Sequence, residues 1–138
     1  MVWVRHYRKD GTNVRVAAER AKEARCQADA LACDAWTKRM LGFRGPAQPS
    51  PMLGDALNAG FRYLEVRCAA CDLHSTLDLT TIRRPKETTP IHELERRLHC
   101  RDCSSRVGYR VKRGQLVSLR MTPIGADTPP SIWWPGER

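Results

Sequence analysis

The pattern of apolar and polar positions predicts one long helix. The segments before and after this helix alternate between apolar and polar residues, as β-strands do. Residues 1–16 carry apolar residues before and after Asp10-Gly11, a dipeptide typical of tight turns, and predict a short basic hairpin or an extended arm. Residues 17–41 contain no Pro or Gly and are rich in good helix formers. They predict a helix that Gly42 ends.

One face of this predicted helix carries small residues at spacings of three and four. They are Ala17, Ala21, Ala24, Ala28, Leu31 and Ala35. Because such a stripe buries little apolar area, we expect residues 17–41 to lie against another helix, to dimerise or to dock on a protein partner. Cys26 and Cys33 fall on one face, and we interpret them as small buried or half-buried side chains, since their spacing fits no single-ion site.

A Pro-rich segment follows the helix and predicts a linker at residues 44–51. It separates a basic arm with its helix (1–43) from a compact module (52–121). The remaining residues, 122–138, are rich in Pro and are expected to be largely unstructured. At the start of the module, Ser50 predicts the N-cap of a short helix.

Within the module, alternation predicts two hairpins with a helix between them, and hence an α+β fold. The predicted strands are residues 61–67, 73–79, 107–112 and 116–121. The first hairpin carries one Cys pair at its tip. The helix opens at Thr89-Pro90 and ends directly at Cys100, and the second hairpin turns at Arg113-Gly114.

Four of the six cysteines form two Cys-x-x-Cys pairs, Cys68/Cys71 and Cys100/Cys103, with 28 residues between the pairs. Two residues between sulfurs let one tight turn aim both at a single ion, and four thiolates complete the shell of structural zinc. The spacing therefore predicts a Zn²⁺ site. The other interpretations are buried or disulfide-bonded cysteines and a thioredoxin-like redox pair, for which one Cys-x-x-Cys suffices.

With these four cysteines as ligands and strand-like flanks, residues 61–121 resemble zinc-ribbon proteins, including small bacterial ones. The resemblance implies a metal-stabilised module and no particular activity. The chain differs from the common pattern in its interposed helix and in its 28-residue gap, where about 15 to 20 residues are usual. A treble-clef finger, in contrast, places its second Cys pair at the start of a helix.

Composition and charge narrow the classes of partner. The 138 residues include only two Phe and three Tyr, so the apolar core is thin and zinc is expected to stabilise it. The net charge of +9 favours a polyanionic partner such as nucleic acid or an anionic membrane surface. The sequence has no apolar run of membrane-spanning length and no signal-peptide pattern, so we expect a cytoplasmic protein with reduced thiols and no membrane partner.

Basic residues of the module are expected to form one phosphate-contacting surface around the zinc site. Alternation turns four of them outward if Val107 and Tyr109 face inward, and two more lie next to the Cys pairs. The predicted nucleic-acid contacts are Arg67, Arg101, Arg106, Arg110, Lys112 and Arg120. The alternative is a solvated face of a protein that is basic throughout, since residues 1–45 hold ten basic and five acidic residues and residues 61–121 hold 13 and seven. Tyr63 and Tyr109 are candidates for base stacking, although core positions are commoner for such residues.

No arrangement for hydrolysis or group transfer accompanies the Cys pattern, and we expect no enzyme. His74 and His99 lie near the cysteines, but four thiolates already fill the shell. The leading hypothesis is a regulatory nucleic-acid-binding protein. The alternatives are a protein–protein adaptor acting through residues 17–41 or Trp133-Trp134, and a zinc or redox sensor using Cys26 and Cys33.

Overall fold

The computed structural model describes residues 11–43 and 46–131. In chain order, the elements are α1 (Gly11–Phe43), α2 (Leu53–Asn58), β1 (Tyr63–Cys68), β2 (His74–Asp78), a 3₁₀ turn (Leu79–Thr81), a 3₁₀ helix (Ile91–Arg97), α3 (Arg101–Val107) and β3 (Gly114–Arg120). The predicted α+β class is confirmed. None of the helices in this part of the chain has the length and apolar character that crossing a bilayer requires.

The three strands form one antiparallel sheet in the order β2-β1-β3. On one face, Leu64 of the central strand lies opposite Leu77 and Leu119 of its two neighbours. The other face carries Glu65 and Arg67, because successive side chains of a strand point to opposite sides. The first predicted hairpin is thus confirmed, and it leads directly to the first Cys pair.

The long helix begins earlier than predicted. Residues 11–16, which the alternation assigned to a hairpin, belong to α1, so this part of the hairpin prediction is wrong. Extending an existing helix costs less free energy than forming an isolated two-stranded hairpin, which is only marginally stable in water. Residues 1–10, with the rest of the predicted hairpin, lie outside the described residues.

Helix α1 packs through a different face from the predicted one. The whole small-residue stripe is exposed, and its largest member, Leu31, is 72 % exposed. The buried positions are instead Cys33, Trp36 and Met40, which follow the same helical period around another side. Trp and Met bury far more apolar area than Ala, so the face that carries them packs on the sheet.

One apolar core joins the end of α1 to the module. Its buried members are Cys33, Trp36, Met40, Leu53, Ala56, Leu64, Leu79, Ile91, Leu94, Leu116 and Leu119. The Trp36 indole also donates a hydrogen bond to the Ala47 carbonyl at 2.9 Å, which ties the predicted linker to α1. The division at residues 44–51 stays a prediction, but the last turns of α1 and the sheet share this core.

Ser50 caps another helix than the one predicted. Met52 is the N-cap of α2, whereas the Ser50 hydroxyl accepts a hydrogen bond from the His92 N–H at 2.9 Å, in the first turn of the 3₁₀ helix. The helix predicted from Thr89-Pro90 to Cys100 is confirmed in position as this 3₁₀ helix, but it ends earlier than predicted, at Arg97.

The predicted second hairpin is wrong in its first strand, because α3 takes its place. Cys100 is the N-cap of α3, and the Cys103 N–H donates to the Cys100 sulfur at 3.5 Å. Gly108, in the left-handed region at φ 79°, ends the helix. Val107 and Tyr109 are consequently 49 % and 68 % exposed rather than buried. The second Cys pair thus starts a helix, as in a treble-clef finger, while β3 confirms the last predicted strand.

The segment after β3 folds back over the polar face of the sheet. Three of its backbone carbonyls accept hydrogen bonds from the Arg120 guanidinium, and the Ser131 N–H and hydroxyl donate to the Glu65 carboxylate. The prediction of an unstructured tail is therefore wrong for residues 122–131. Trp133-Trp134 lie outside the described residues.

Candidate metal centre

Two structurally different turns present the four cysteines. Cys68 is the last residue of β1 and Cys71 lies at the tip of the β1–β2 hairpin, where the Asp72 N–H donates to the Cys68 carbonyl at 2.8 Å. Asp72 has a positive φ of 64°, a conformation that Asp tolerates better than most residues. Cys100 and Cys103 lie on the first turn of α3.

The four sulfurs lie within 4.8 Å of one another. The Cys68 and Cys103 sulfurs are 3.8 Å apart, and those of Cys71 and Cys100 are 3.6 Å apart. Sulfurs at about 2.3 Å around a tetrahedral zinc ion are separated by about 3.8 Å. All six cysteines are free thiols, which opposes the disulfide interpretation. These four residues, hereafter the four-cysteine cluster, could therefore hold a metal ion, and their donors and spacing fit Zn²⁺.

The thiols of the four-cysteine cluster cannot all ionise without a cation. Burial raises the pKa of Cys68, but backbone hydrogen bonds from Cys71 and Ala70 outweigh it and lower that pKa to about 7. Burial and the neighbouring thiols raise the pKa of Cys103 to about 12. Arg106 also donates to the Cys103 sulfur at 3.5 Å. A divalent cation would relieve the repulsion among four thiolates, which is why such a site binds its ion tightly.

The four-cysteine cluster is mostly buried, with Cys71 as its half-buried member. Cys68, Cys100 and Cys103 are buried, and Val111 packs against them. Four protein ligands leave no open position on zinc for a catalytic water, so the arrangement suits a structural ion. Among the described residues no histidine joins the cluster, since its members are the four cysteines alone.

The two cysteines of α1 lie outside this cluster. Cys33 is fully buried, and burial, with the nearby carboxylates of Asp29 and Asp55, raises the pKa of its thiol to about 12. Cys26 is half-buried and its thiol donates to the Asn58 carbonyl at 3.2 Å. The prediction of buried or half-buried side chains is confirmed. Because a sensor cysteine reacts as the thiolate, the burial of Cys33 disfavours the sensor hypothesis.

Four of the six predicted phosphate-contacting residues lie together around α3. Arg101, Arg106, Arg110 and Lys112 are exposed, and none of them forms an ion pair with a described residue. We call these four residues the basic surface. Tyr109, between two of them in sequence, is 68 % exposed and so does not occupy a core position.

The other two predicted residues are engaged within the protein. Arg67 is paired with Asp72 and donates to Gln115 at 2.9 Å, although it remains beside the four-cysteine cluster. The Arg120 side chain is only 14 % exposed and binds the Glu65 carboxylate at 2.8 Å. The expectation that Arg120 points outward is therefore wrong, because β3 turns it toward a buried acid.

No pattern in the sequence indicated the buried acid Glu65. Glu65 is 0 % exposed and accepts hydrogen bonds from His74 at 2.7 Å, from Arg120 at 2.8 Å and from the Ser131 hydroxyl at 2.8 Å. Burial alone would raise the Glu65 pKa, but these donors together lower it. The hydrogen-bond donors to Glu65 come from two neighbouring strands and from the returning tail. Alternation along a single strand does not reveal such contacts.

Comparison of this chain with known proteins identifies no relative: no family model, no curated protein and no solved structure matches it. Its class therefore rests on its own geometry. That geometry defines an α+β protein with a cluster of four cysteines suited to zinc. The likeness to zinc ribbons covers the four-thiol set and the first hairpin, and it ends where α3 begins.

Proposed function

We propose that this protein is a non-enzymatic zinc protein that binds nucleic acid through the basic surface. In this proposal the ion has a structural task. Cys103 is the one buried residue that α3 contributes, so α3 has no apolar side chain in the main core. Zinc would hold α3, and with it the basic surface, against the hairpin.

The observation that carries the proposal is the set of unpaired cations beside an exposed ring. The basic surface presents four positive side chains that no acidic side chain of the described residues neutralises. Such cations gain most from phosphates, which release their counterions on binding. The exposed ring of Tyr109 lies among them, and aromatic rings on basic surfaces stack on bases.

Binding at graded salt tests this proposal. Fluorescence anisotropy with labelled single-stranded and duplex DNA and RNA, from about 50 to about 200 mM salt, should give a straight line of log affinity against log salt. The double variant Arg110→Gln/Lys112→Gln should make that line less steep by roughly 1.4 to 1.8, or about 0.7 to 0.9 for each lost phosphate contact.

The matched control is Arg20→Gln/Arg25→Gln, which removes the same charge from an exposed part of α1. It should leave the slope nearly unchanged. Equal effects of the two double variants would show that net charge alone drives binding, and the absence of binding at the lowest salt would overturn the proposal.

A second function, as a protein adaptor, is favoured by the exposure of α1. Most of this helix before Cys33 is exposed, including Val14 at 63 % and Leu31 at 72 %. Leu31 belongs to the exposed small-residue stripe of α1, and such a stripe lets a second helix lie close against it. In that case light scattering should give a dimer mass for the parent and a monomer mass for Leu31→Glu, with little dependence on salt.

A further inference from the structure

A groove of about 430 Å³ lies between β2, the 3₁₀ helix and the start of α3. Its apolar floor consists of Leu77, Ile82, Leu94 and Leu98, which are buried or half-buried. Its size falls within the range of small-molecule sites in proteins, roughly 300 to 1,000 Å³. The groove therefore has room for one nucleotide-sized ligand.

Arginines surround this floor. Arg83, Arg84, Arg97 and Arg101 line the groove, and no acidic residue among the described ones lines it. None of the four forms an ion pair with a residue of the described part of the chain. Four unneutralised guanidinium groups around one cavity create a local positive potential, and their planar donors match phosphate oxygens in pairs. We call this site the arginine groove.

The arginine groove is continuous with the surroundings of the four-cysteine cluster. A neighbouring cavity of about 410 Å³ is lined by Leu77, Leu98, His99 and Arg101 as well, and it reaches Cys68 and Cys100. Arg101 is at the same time a member of the basic surface. The basic surface and the arginine groove therefore adjoin at Arg101, and a further cavity that shares His99 and Arg101 with the groove is also lined by Arg110. A strand that contacts the basic surface can reach the groove along this side.

The apolar floor and the arginines around it together indicate the chemistry of the ligand. Inorganic phosphate would use the arginines and leave the apolar floor exposed, whereas a nucleotide has both a phosphate and a flat base. In a duplex the base is stacked and paired, so only an unpaired base can reach the floor. We propose that the arginine groove holds one nucleotide of a single-stranded nucleic acid, with its base on the floor and its phosphates on the arginines.

This inference rests on the proposed nucleic-acid binding and adds the form of the strand and a second site of contact. Its first test compares Arg84→Gln/Arg97→Gln with the control Arg20→Gln/Arg25→Gln, using a labelled single-stranded probe of about 12 nucleotides, a length within the usual site sizes. Loss of two phosphate contacts should make the salt dependence less steep by roughly 1.4. The control should retain the parent slope. Zinc content and circular dichroism identify any variant that fails to fold.

A second test needs only the parent protein and addresses the base. A probe of equal length with abasic positions should bind several-fold more weakly, since it has no base to bury on the apolar floor. The duplex of the same sequence should also bind more weakly than the single strand. Equal affinity for the normal probe, the abasic probe and the duplex would overturn the base-binding groove.

The outcomes separate this inference from the proposed function. If the parent binds the probe while Arg84→Gln/Arg97→Gln behaves like the control, the groove is excluded and the basic surface remains. If the parent binds neither single strand nor duplex, the proposed function fails as well. If adenosine monophosphate binds the parent, and not Arg84→Gln/Arg97→Gln, while no strand binds, the groove is a free-nucleotide site and the strand proposal is wrong.

Discussion

Two buried clusters hold this protein together, and they differ in chemistry. The apolar core combines residues from α1, α2, the sheet and both 3₁₀ segments. The four-cysteine cluster consists of Cys68, Cys71, Cys100 and Cys103, with Val111 beside them. Burial of apolar surface stabilises the first, whereas the second brings together sulfurs that repel one another when ionised and needs a cation. We therefore expect the sheet to stay folded under conditions in which α3 detaches from it.

The largest expected effect comes from breaking the four-cysteine cluster. Cys100→Ser removes a thiol of the cluster but keeps an N-cap for α3, because Ser is a preferred N-cap residue. Because structural zinc contributes roughly 10 kcal/mol or more of apparent folding free energy, loss of the ion should unfold α3 and the hairpin tip. Metal analysis should show less than one zinc per chain, and amide NMR signals around α3 should lose their dispersion.

The control for this experiment is Cys26→Ser, which changes a cysteine outside the cluster. It should retain one zinc per chain and the dispersed spectrum. A parent protein without metal, or a Cys100→Ser variant with α3 intact, would contradict the view that the metal holds this end of the molecule.

The second largest effect is expected at Glu65, which joins the polar face of the sheet to the returning tail. Glu65→Gln keeps the shape of the side chain but leaves Arg120 with its charge unpaired in a mostly buried site. Breaking a buried ion pair in this way costs about 3 kcal/mol or more. Urea unfolding near neutral pH should show this loss, with zinc content unchanged.

The pH dependence of the same variant checks the cause. The folded state lowers the Glu65 pKa below its ordinary value of 4.5, so its contribution is complete above about pH 4.5 and is lost as pH falls through the folded pKa. The stability difference between parent and Glu65→Gln should therefore shrink on acidification below that pH. A difference that stays constant down to about pH 3 would contradict the buried carboxylate.

Truncating a side chain of the apolar core should lower the stability somewhat less than Glu65→Gln does. Met40 is fully buried, and Met40→Ala should cost about 3 kcal/mol through lost burial and the remaining cavity. Zinc content should stay at one per chain, because Met40 belongs to the other cluster. Loss of zinc together with stability would show that the two clusters fold as one unit, and this would overturn the comparison.

Local sequence patterns predicted what depends on neighbours along the chain. The Cys spacing predicted the four residues that the fold brings together, and alternation predicted β1, β2 and β3. Gly108 shows the limit: in a stretch of alternating residues it looked like part of a strand, but it ends α3 in the left-handed conformation. The residues after Cys100 were compatible with both the start of a helix and a strand. The N-cap at Cys100 and the C-cap at Gly108 favour the helix.

Such local patterns could not predict contacts between segments that are distant in sequence. The stripe on α1 had the right period, but which face is buried depends on where the sheet lies, and the sheet selected Trp36 and Met40. Arg120 and Glu65 each looked like exposed charges in their own strands. Only the β1–β3 pairing and the return of the tail to Ser131 bring them into one buried network.

The smallest predicted effect concerns Gly114, which lies between the two clusters. It pairs with Cys68 across the sheet, and a Cβ at this position would lie 2.6 Å from the Leu98 Cβ. Gly114→Ala must therefore displace Leu98, and we expect a loss of about 1 to 2 kcal/mol. The control is Gly42→Ala at the end of α1, where a Cβ meets nothing within 4 Å, and stability should stay the same or rise by less than about 1 kcal/mol. Because Leu98 also lies on the floor of the arginine groove, Gly114→Ala should weaken single-strand binding as well. An unchanged stability would show that Leu98 moves freely, and the floor would then be too soft to hold a base.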